Sequence, residues 1–252
     1  RHNYALARAC APGRQVFAGV KATAYGHGAR EVVSALPGAD GFVVACLEEA
    51  GEVRGLHGRA RVLLLQGCFE AKEYLMAAQL GLDVVVQSRE QAEALLASNL
   101  VRPLNVWLKL DSGMHRLRAW HARLAGAEQV AELNLLSHFA CADLPGHPLN
   151  QIQLDCYRGL DDLAFANRSL ANSAAILTRP EAHLDWLRPG IMLYGASPFA
   201  ERPAAEFDLR PAMTLSGALT AVREVPAGES VGYGAGWVAQ RPTRIGTISC
   251  GY

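Results

Sequence analysis

Short apolar runs alternate with stretches of helical spacing along most of this 252-residue chain, and this alternation constrains the fold more than any other feature. Eight of the runs are predicted strands, at residues 15–20, 41–45, 61–65, 83–86, 105–110, 134–139, 168–170 and 187–193. The predicted helices between them include 29–36, a helix from 47 onward, 69–80, 88–96, 149–163 and 173–177. Strands that alternate with helices form parallel βαβ units, because a parallel connection needs a long crossover.

Eight βα units in a chain of this length predict a (β/α)₈ barrel of the TIM type. The alternative is an open doubly wound sheet, which would carry a glycine-rich phosphate turn after its first strand. The first predicted strand is instead followed by K-A-T-A-Y-G-H-G at residues 21–28, which lacks that signature. Ser88 is expected to cap the helix at 88–96, with Gln91 at the capping-box position.

The pattern changes after about residue 208. Residues 213–222 alternate as a strand does, 225–229 have the composition of a turn, and 244–249 predict another strand. We therefore predict two domains, a barrel over residues 1–207 and the beginning of an all-β, C-terminal domain over 208–252. A piece of sheet this short exposes unpaired strand edges, so the sequence is expected to be a fragment.

Composition disfavours several classes of protein. Twenty-four Lys and Arg balance 24 Asp and Glu, whereas a nucleic-acid binder needs a basic surface. No apolar run approaches the roughly 18–20 residues that span a bilayer, and no signal peptide opens the chain. The six cysteines form no C-x-x-C pair, and we expect buried, reduced thiols in a cytoplasmic protein. The histidine spacing matches no metal motif, so we expect no metal.

Polar residues follow the predicted strands at the ends where barrel enzymes carry their chemistry. They are Lys21 after the first strand, Lys109 and Arg116 after the fifth, His138 after the sixth, Asn172 and Ser173 after the seventh, and Arg188, Gly190 and Ile191 at the eighth. Such a cationic mouth suits a phosphate, which Ser173 and the backbone N–H groups of Gly190 and Ile191 would cradle. A lysine amine in this setting can attack an aldehyde, and the combination points to pyridoxal phosphate (PLP).

Each of these residues also has an ordinary structural interpretation. Lys21 alone would be a surface lysine, His138 a hydrogen-bonded core histidine, and Arg188 an interface or helix-end arginine. The hypothesis therefore depends on their joint location rather than on any one of them.

Several segments resemble the alanine racemase family. The segment V-K-A-T-A-Y-G-H-G at residues 20–28 is similar to that family's PLP-lysine motif. Further segments agree in order: K-L-D-S-G-M-H-R at 109–116, S-H-F-A at 137–140, N-S-A-A at 172–175, R-P-G-I-M-L-Y-G at 188–195, V-G-Y-G at 231–234, and the terminal G-Y. The resemblance covers essentially the whole chain and implies a PLP-binding barrel, a following β domain, and a homodimer with shared active sites. It also implies that this chain is truncated at both ends.

The resemblance implies roles for individual residues. Lys21 would hold PLP and exchange protons on one face of the substrate, and Tyr233 of the other subunit would do so on the opposite face. The cofactor would be bound by Tyr25, Ser173, Gly190 and Ile191 at its phosphate, by Arg188 at its pyridine nitrogen, and by the neighbouring His138 and Asn172. Arg116 would contact the substrate carboxylate, and Tyr252 would line the substrate's entry. Lys109 would be carbamylated and would orient Arg116.

The resulting hypothesis is an isomerase that interconverts L- and D-alanine, and that either supplies D-alanine for the cell wall or catabolises it. A second hypothesis is a broad-specificity amino-acid racemase with the same fold. A non-catalytic PLP-binding barrel and an inactive fragment are two others. Tyr233 and the β-rich segment argue against the non-catalytic barrel.

Overall fold

The computed structural model describes residues 1–110 and 117–250, which form two compact units, Arg1–Ala212 and a second that begins at Met213. Each unit is described by itself. The domain boundary predicted at 207/208 stays a prediction. In the part of the chain that is described, no helix has both the length and the apolar character needed to cross a bilayer.

The first unit is a barrel of eight parallel strands, which confirms the predicted fold. The strands are β1 (Gln15–Gly19), β2 (Gly41–Val44), β3 (Arg61–Leu64), β4 (Asp83–Val86), β5 (Leu104–Lys109), β6 (Val130–Leu136), β7 (Arg168–Ser169) and β8 (Trp186–Leu187). They are hydrogen-bonded in the order β7-β6-β5-β4-β3-β2-β1-β8. Because the first strand pairs with both the second and the last, the sheet curls into a nearly closed cylinder, and the doubly wound alternative is wrong.

Helices occupy the connections. They are α1 (His2–Cys10), α2 (Lys21–Tyr25), α3 (Ala29–Ala35), α4 (Leu47–Leu56), α5 (Ala71–Leu80), α6 (Arg89–Leu96), α7 (Leu117–Leu124), α8 (Leu149–Arg158) and α9 (Ser173–Thr178). Helix α1 was not predicted, because half of its apolar residues are alanines and give a weak apolar stripe. Asn3 fastens this helix to the barrel by donating from Nδ2 to the carbonyls of Leu193 (2.9 Å) and Arg210 (2.7 Å).

The eighth strand is shorter than predicted. It ends at Leu187, and the residues expected to extend it form a 3₁₀ turn over Ile191–Tyr194. Pro189 has no N–H to donate to a ladder, so the strand stops before it. The seam between β7 and β8 is closed by a side-chain bond from Ser169 Oγ to Trp186 O (2.6 Å) and a backbone bond from Arg188 N to Ala171 O (3.0 Å).

Large side chains fill the barrel interior, so it is a packed core rather than a channel. They are Phe17, Val43, Leu63, Val85, Trp107, Leu136 and Trp186. Beneath them the buried Asp83 accepts hydrogen bonds from Trp107 Nε1 (2.8 Å) and from Arg61 Nε (2.9 Å). These two bonds close the barrel interior at the N-terminal ends of the strands.

Two local predictions need correction. The Ser88 cap is confirmed, since its Oγ accepts from Gln91 N at 3.2 Å, but the Gln91 side chain accepts from Gln87 N rather than Ser88 N. The six cysteines are free, as predicted. Only Cys68 is buried, however, and Cys156 and Cys250 are exposed, so predicted burial was wrong for most of them. Cys156 lies on the outward face of α8, which a residue-type argument could not specify.

The second unit is β-rich, as predicted. Strand β9 (Leu219–Val225) pairs antiparallel with β12 (Thr243–Ile248), and β10 (Ser230–Val231) pairs with β11 (Trp237–Val238). The first of these strands begins at Leu219, later than the predicted start at 213. The short β10–β11 hairpin was not predicted, because strands of two residues carry no periodicity.

Candidate active site

A cavity of about 450 Å³ opens at the C-terminal ends of the barrel strands. Its volume is typical of sites for small molecules. Its lining is Lys21, Tyr25, His138, Phe139, Ala140, Asp143, Asn172, Ser173, Ala174, Arg188, Gly190, Ile191 and Pro198. All eight residues predicted to bind the cofactor are in this set, so the structure brings them together around one space.

The chain leaves β1 through a left-handed turn, α2. Ala22, Thr23, Ala24 and Tyr25 all have φ between 52° and 55°. Residues with a Cβ avoid this conformation, at a cost of roughly 1–2 kcal/mol each, and none of the four is glycine. Such strain persists only where surrounding contacts determine the backbone, and it concentrates at functional sites.

The left-handed turn places two predicted site residues beside each other. Lys21 is its first residue and Tyr25 its last, and Lys21 Nζ lies 6.0 Å from the centre of the Tyr25 ring. The turn is closed by backbone bonds from Ala24 N to Val20 O (2.8 Å) and from Gly26 N to Ala22 O (3.0 Å). Residues four apart on one helical turn share a face, so Lys21 and Tyr25 lie on the same side of it.

Ser173, Gly190 and Tyr25 form a polar cradle on one side of the cavity. Ser173 Oγ accepts hydrogen bonds from the backbone of Gly190 (2.9 Å) and Met192 (3.3 Å). A Cβ added to Gly190 would lie 2.5 Å from Tyr25 Oη, so any other residue there would displace the Tyr25 hydroxyl. Neighbouring Asn172 caps α9, accepting from Ala175 N at 3.1 Å. These hydroxyl and backbone groups suit the oxygens of a phosphate.

Arg188 is a buried cation at the floor of the cavity. It is 7% exposed and donates to Ser169 Oγ, to Ser137 O and to Leu170 O (3.3 Å). Burial lowers the pKa of its guanidinium to about 10, which leaves it protonated at neutral pH. Among the described residues it has no carboxylate partner, so its positive charge is free to act on a ligand.

His138 stands between Arg188 and the open space. Arg188 Nη2 lies 3.4 Å from its Nδ1, and Asn172 Nδ2 lies 3.4 Å from its Nε2. Each ring nitrogen thus faces an N–H group, and in the neutral ring one of the two nitrogens can accept a hydrogen bond. The edge of the ring is exposed to the cavity, but its removal from bulk water and the charges of Arg188, Lys109 and Lys21 lower its pKa to about 4. His138 is therefore neutral at neutral pH and adds no positive charge to the cavity.

Two contributing residues were not singled out in the sequence. Tyr194 donates from its hydroxyl to Gly19 O (2.7 Å), and its ring lies 4.9 Å from that of Tyr25. Its place in the segment R-P-G-I-M-L-Y-G was the signal available. Asp143 supplies a carboxylate to the cavity lining, and it lies in an exposed loop after β6 that has no distinguishing pattern.

The remaining predicted residues lie elsewhere. Lys109 ends β5, as predicted, and its Nζ donates to Gln87 Oε1 at 2.9 Å in a neighbouring cavity of about 490 Å³ that shares His138. Arg116 and Tyr252 fall outside the described residues. Tyr233 belongs to the second unit, where it begins a 3₁₀ turn, and its side chain is fully exposed.

Comparison with known proteins adds an independent result. The profile of the family "Alanine racemase, N-terminal domain" matches residues 1–198, and that of "Alanine racemase, C-terminal domain" matches residues 212–252. The curated "Alanine racemase, biosynthetic" of Pseudomonas aeruginosa is 66% identical over 260 residues, and "Alanine racemase, catabolic" of Pseudomonas putida is 46% identical. Both alignments cover 100% of this chain, and 73% and 72% of the two relatives.

Solved structures show the same similarity. The crystal structure of the biosynthetic alanine racemase from Pseudomonas aeruginosa superposes with a TM-score of 0.93 at 66% identity. That of the alanine racemase from Acinetobacter baumannii superposes with a TM-score of 0.91 at 36% identity. Each comparison covers 100% of this chain and 73% of the other.

Proposed function

The chain belongs to the alanine racemase family and is an isomerase that acts on amino acids, and from this premise we propose that it racemises alanine with PLP bound in the barrel cavity. Lys21 and Tyr233 are the proposed acid/base pair. The active unit is a homodimer in which Tyr233 of one subunit serves the cavity of the other. All six cysteines are free, which favours a reducing compartment, and we propose the cytoplasm.

This proposal is supported mainly by one observation, the polar cradle and the Lys21 amine in the same cavity. Ser173, Tyr25 and the Cβ-free backbone of Gly190 suit the phosphate of PLP, and Lys21 lines the same cavity. Asn172 and Ile191 complete that side of the cavity. The residues present therefore fit the group. When bound, PLP supplies a means of delocalising the negative charge that develops at Cα of an amino acid.

The chain's own residues supply the proton transfers. Inverting a carbon centre requires a base on one face and an acid on the other. Lys21 Nζ exchanges the proton on one face, and the Tyr233 hydroxyl exchanges it on the opposite face. Tyr233 is fully exposed and lies between two glycines with positive φ, Gly232 (86°) and Gly234 (70°). An exposed side chain is a requirement for a residue that serves the active site of another subunit.

Arg188 determines the electrostatics at the cavity floor. An arginine beside the pyridine nitrogen disfavours protonation there, unlike a carboxylate, and this limits side reactions such as transamination. His138 adjoins this guanidinium, with its Nδ1 3.4 Å from Arg188 Nη2. Arg116 is the proposed partner of the substrate carboxylate, and Tyr252 the proposed lining of the substrate's entry.

A biosynthetic role is the favoured assignment. The chain is 66% identical to a relative named as biosynthetic and 46% identical to one named as catabolic. We therefore propose that the product is D-alanine for the cell wall. The broad-specificity racemase is the second candidate function, and substrate profiling separates it from the first.

The test of the proposal is a single-methyl substitution in the cradle. In protein that carries this sequence, Gly190→Ala is expected to weaken PLP binding at least about tenfold, because the added methyl meets Tyr25 Oη and displaces the phosphate's ligands. PLP binding is measured by absorbance titration. Racemisation of L-alanine is measured with the same protein.

Gly38→Ala is the matched control, because a Cβ there meets no atom within 4 Å. It is expected to bind PLP as the unsubstituted protein does. Equal PLP affinity in Gly190→Ala and Gly38→Ala would contradict the cradle. PLP binding without racemisation would instead favour a non-catalytic barrel, and comparable rates on bulky amino acids would favour the broad-specificity enzyme.

A further expectation concerns Lys109, which we propose is carbamylated. The ammonium group first loses one proton. The neutral amine then adds to CO₂, an N–C bond forms and a second proton is released, so a cation becomes an anion that can orient Arg116. Lys109→Ala is expected to lose activity that acetate or another small carboxylate partly restores. The readout is the initial rate of racemisation with and without the added carboxylate.

Lys72→Ala provides the control, because Lys72 is exposed and pairs only with Glu70 at 2.7 Å on the surface. It should keep full activity and gain nothing from acetate. If Lys109→Ala is fully active in the absence of carboxylates, the carbamate is unnecessary for this enzyme.

A further inference from the structure

Glu49, a residue outside the cavity lining, contacts the left-handed turn that carries Lys21. Its Oε1 accepts a hydrogen bond from Ala22 N at 2.7 Å, and its Oε2 accepts one from Ala45 N at 2.8 Å. Ala22 is the first left-handed residue after Lys21, and Ala45 directly follows β2. One carboxylate thus joins the ends of two adjacent strands at the mouth of the barrel.

The hydrogen bond from Ala22 to Glu49 lies where the ladder between β1 and β2 ends. Strands β1 and β2 pair as far as Gly19 and Val43, and Val20 N continues the ladder to Val43 O at 2.9 Å. At Ala22 the chain turns away, and its N–H has no strand to pair with. The Glu49 carboxylate takes over as acceptor at the residue where the backbone enters its unfavourable conformation.

A carboxylate suits this task better than a neutral group. Backbone N–H groups that donate to an ionised oxygen form shorter and stronger hydrogen bonds than those to a neutral acceptor. Both oxygens of Glu49 are engaged by the main chain, and among the described residues no cation forms an ion pair with it. The negative charge of Glu49 therefore acts on two backbone N–H groups, those of Ala22 and Ala45.

We propose that Glu49 is a positioning residue for the reaction: by holding Ala22 N–H, its carboxylate keeps the turn left-handed and so presents Lys21 and Tyr25 to the cavity. The catalytic importance of Glu49 rests on the proposed function, whereas the hydrogen bond from Ala22 N to Glu49 is present without a cofactor. Without the carboxylate, Ala22 relaxes toward ordinary φ values, the turn takes another path, and Lys21 and Tyr25 are no longer held at the cavity.

Three variants test the inference. Glu49→Gln keeps the size but presents an NH₂ group to one of the two N–H donors, and Glu49→Asp keeps the charge but is one methylene too short to reach both. Glu48→Gln is the matched control, because Glu48 is an exposed acid next to it on α4. The first readout is amide hydrogen exchange at Ala22 in protein without PLP, and the second is PLP affinity.

Both Glu49 variants are expected to speed exchange at Ala22 at least about tenfold, the effect of losing one charge-assisted hydrogen bond. PLP affinity should fall by a similar factor. The kcat for alanine should fall while its KM stays unchanged, as expected for a misdirected lysine. Amides of the distant strands β5 and β6 should keep their protection, and Glu48→Gln should match the unsubstituted protein in every readout.

The outcomes separate this inference from the proposed function. If exchange at Ala22 in Glu49→Gln matches that in Glu48→Gln, or rises equally throughout the barrel, the positioning role is wrong. A Glu49→Asp variant that behaves as the unsubstituted protein also overturns it, because reach to both amides would then be unnecessary. If the unsubstituted protein fails to bind PLP, the proposed function is wrong, while the exchange data still decide whether Glu49 holds the turn.

Discussion

Borohydride treatment in the presence of PLP is expected to fix a pyridoxyl group on Lys21 of this protein. Lys21 begins the turn that follows β1, and it lines the same cavity as Ser173 and Gly190. Hydride converts the carbon–nitrogen link between the cofactor's aldehyde carbon and Nζ into a stable amine. Lys21→Ala should remove that label and reduce racemisation at least roughly 10²–10⁴-fold, the effect of losing an acid/base group.

The experiment is simple to interpret because the chain has three lysines, Lys21, Lys72 and Lys109. Peptide mapping by mass spectrometry assigns the label. Lys72→Ala should be labelled at Lys21 as the unsubstituted protein is. A label on Lys109, or an unlabelled yet folded protein that binds PLP, would show that the lysine is assigned wrongly.

Replacing Tyr233 with Phe is expected to leave PLP binding intact and to reduce racemisation by roughly 10²–10⁴-fold. Tyr233 is fully exposed in its own unit and takes no part in the barrel core, so the hydroxyl can be removed without loss of packing. Only the proton transfer on one face of Cα should be lost. The absorbance of bound PLP and the far-ultraviolet circular dichroism spectrum should be unchanged.

Proton exchange at Cα distinguishes the two faces. In deuterated solvent, Tyr233→Phe should still exchange the Cα proton of the enantiomer that Lys21 serves and should lose exchange for the other. Lys21 variants cannot provide this comparison, because they also lose the cofactor link. If Tyr233→Phe exchanges both enantiomers at the unsubstituted rate, the pair of acid/base residues is assigned wrongly.

The barrel was predictable from local pattern alone. Eight apolar runs separated by helical stretches leave few topologies, and the observed strands β4, β2 and β3 lie within a residue of their predicted ends. Crossover connections force the strands parallel, and parallel strands direct their C-terminal ends to one side. For this reason the sequence alone assigns Lys21, His138, Ser173 and Arg188 to one cavity.

Elsewhere local pattern was insufficient. Residues 187–193 were predicted as a strand, yet the strand ends at Leu187, before Pro189, and the chain continues into the 3₁₀ turn Ile191–Tyr194. The burial of a cysteine depends on which face of its helix meets the barrel, and Cys156 faces outward. The β10–β11 hairpin is too short to carry a periodic signal.

The sequence by itself determined the succession of strands and helices, the barrel, and the set of polar residues at its mouth, because hydrophobic periodicity and chain connectivity are properties of neighbouring residues. Only the tertiary structure decided how those residues face one another. The four residues after Lys21, none of them glycine, adopt left-handed φ values that each would avoid in isolation. They keep it because partners far along the chain, with Glu49 at Ala22 N among them, supply hydrogen bonds that no local sequence pattern encodes.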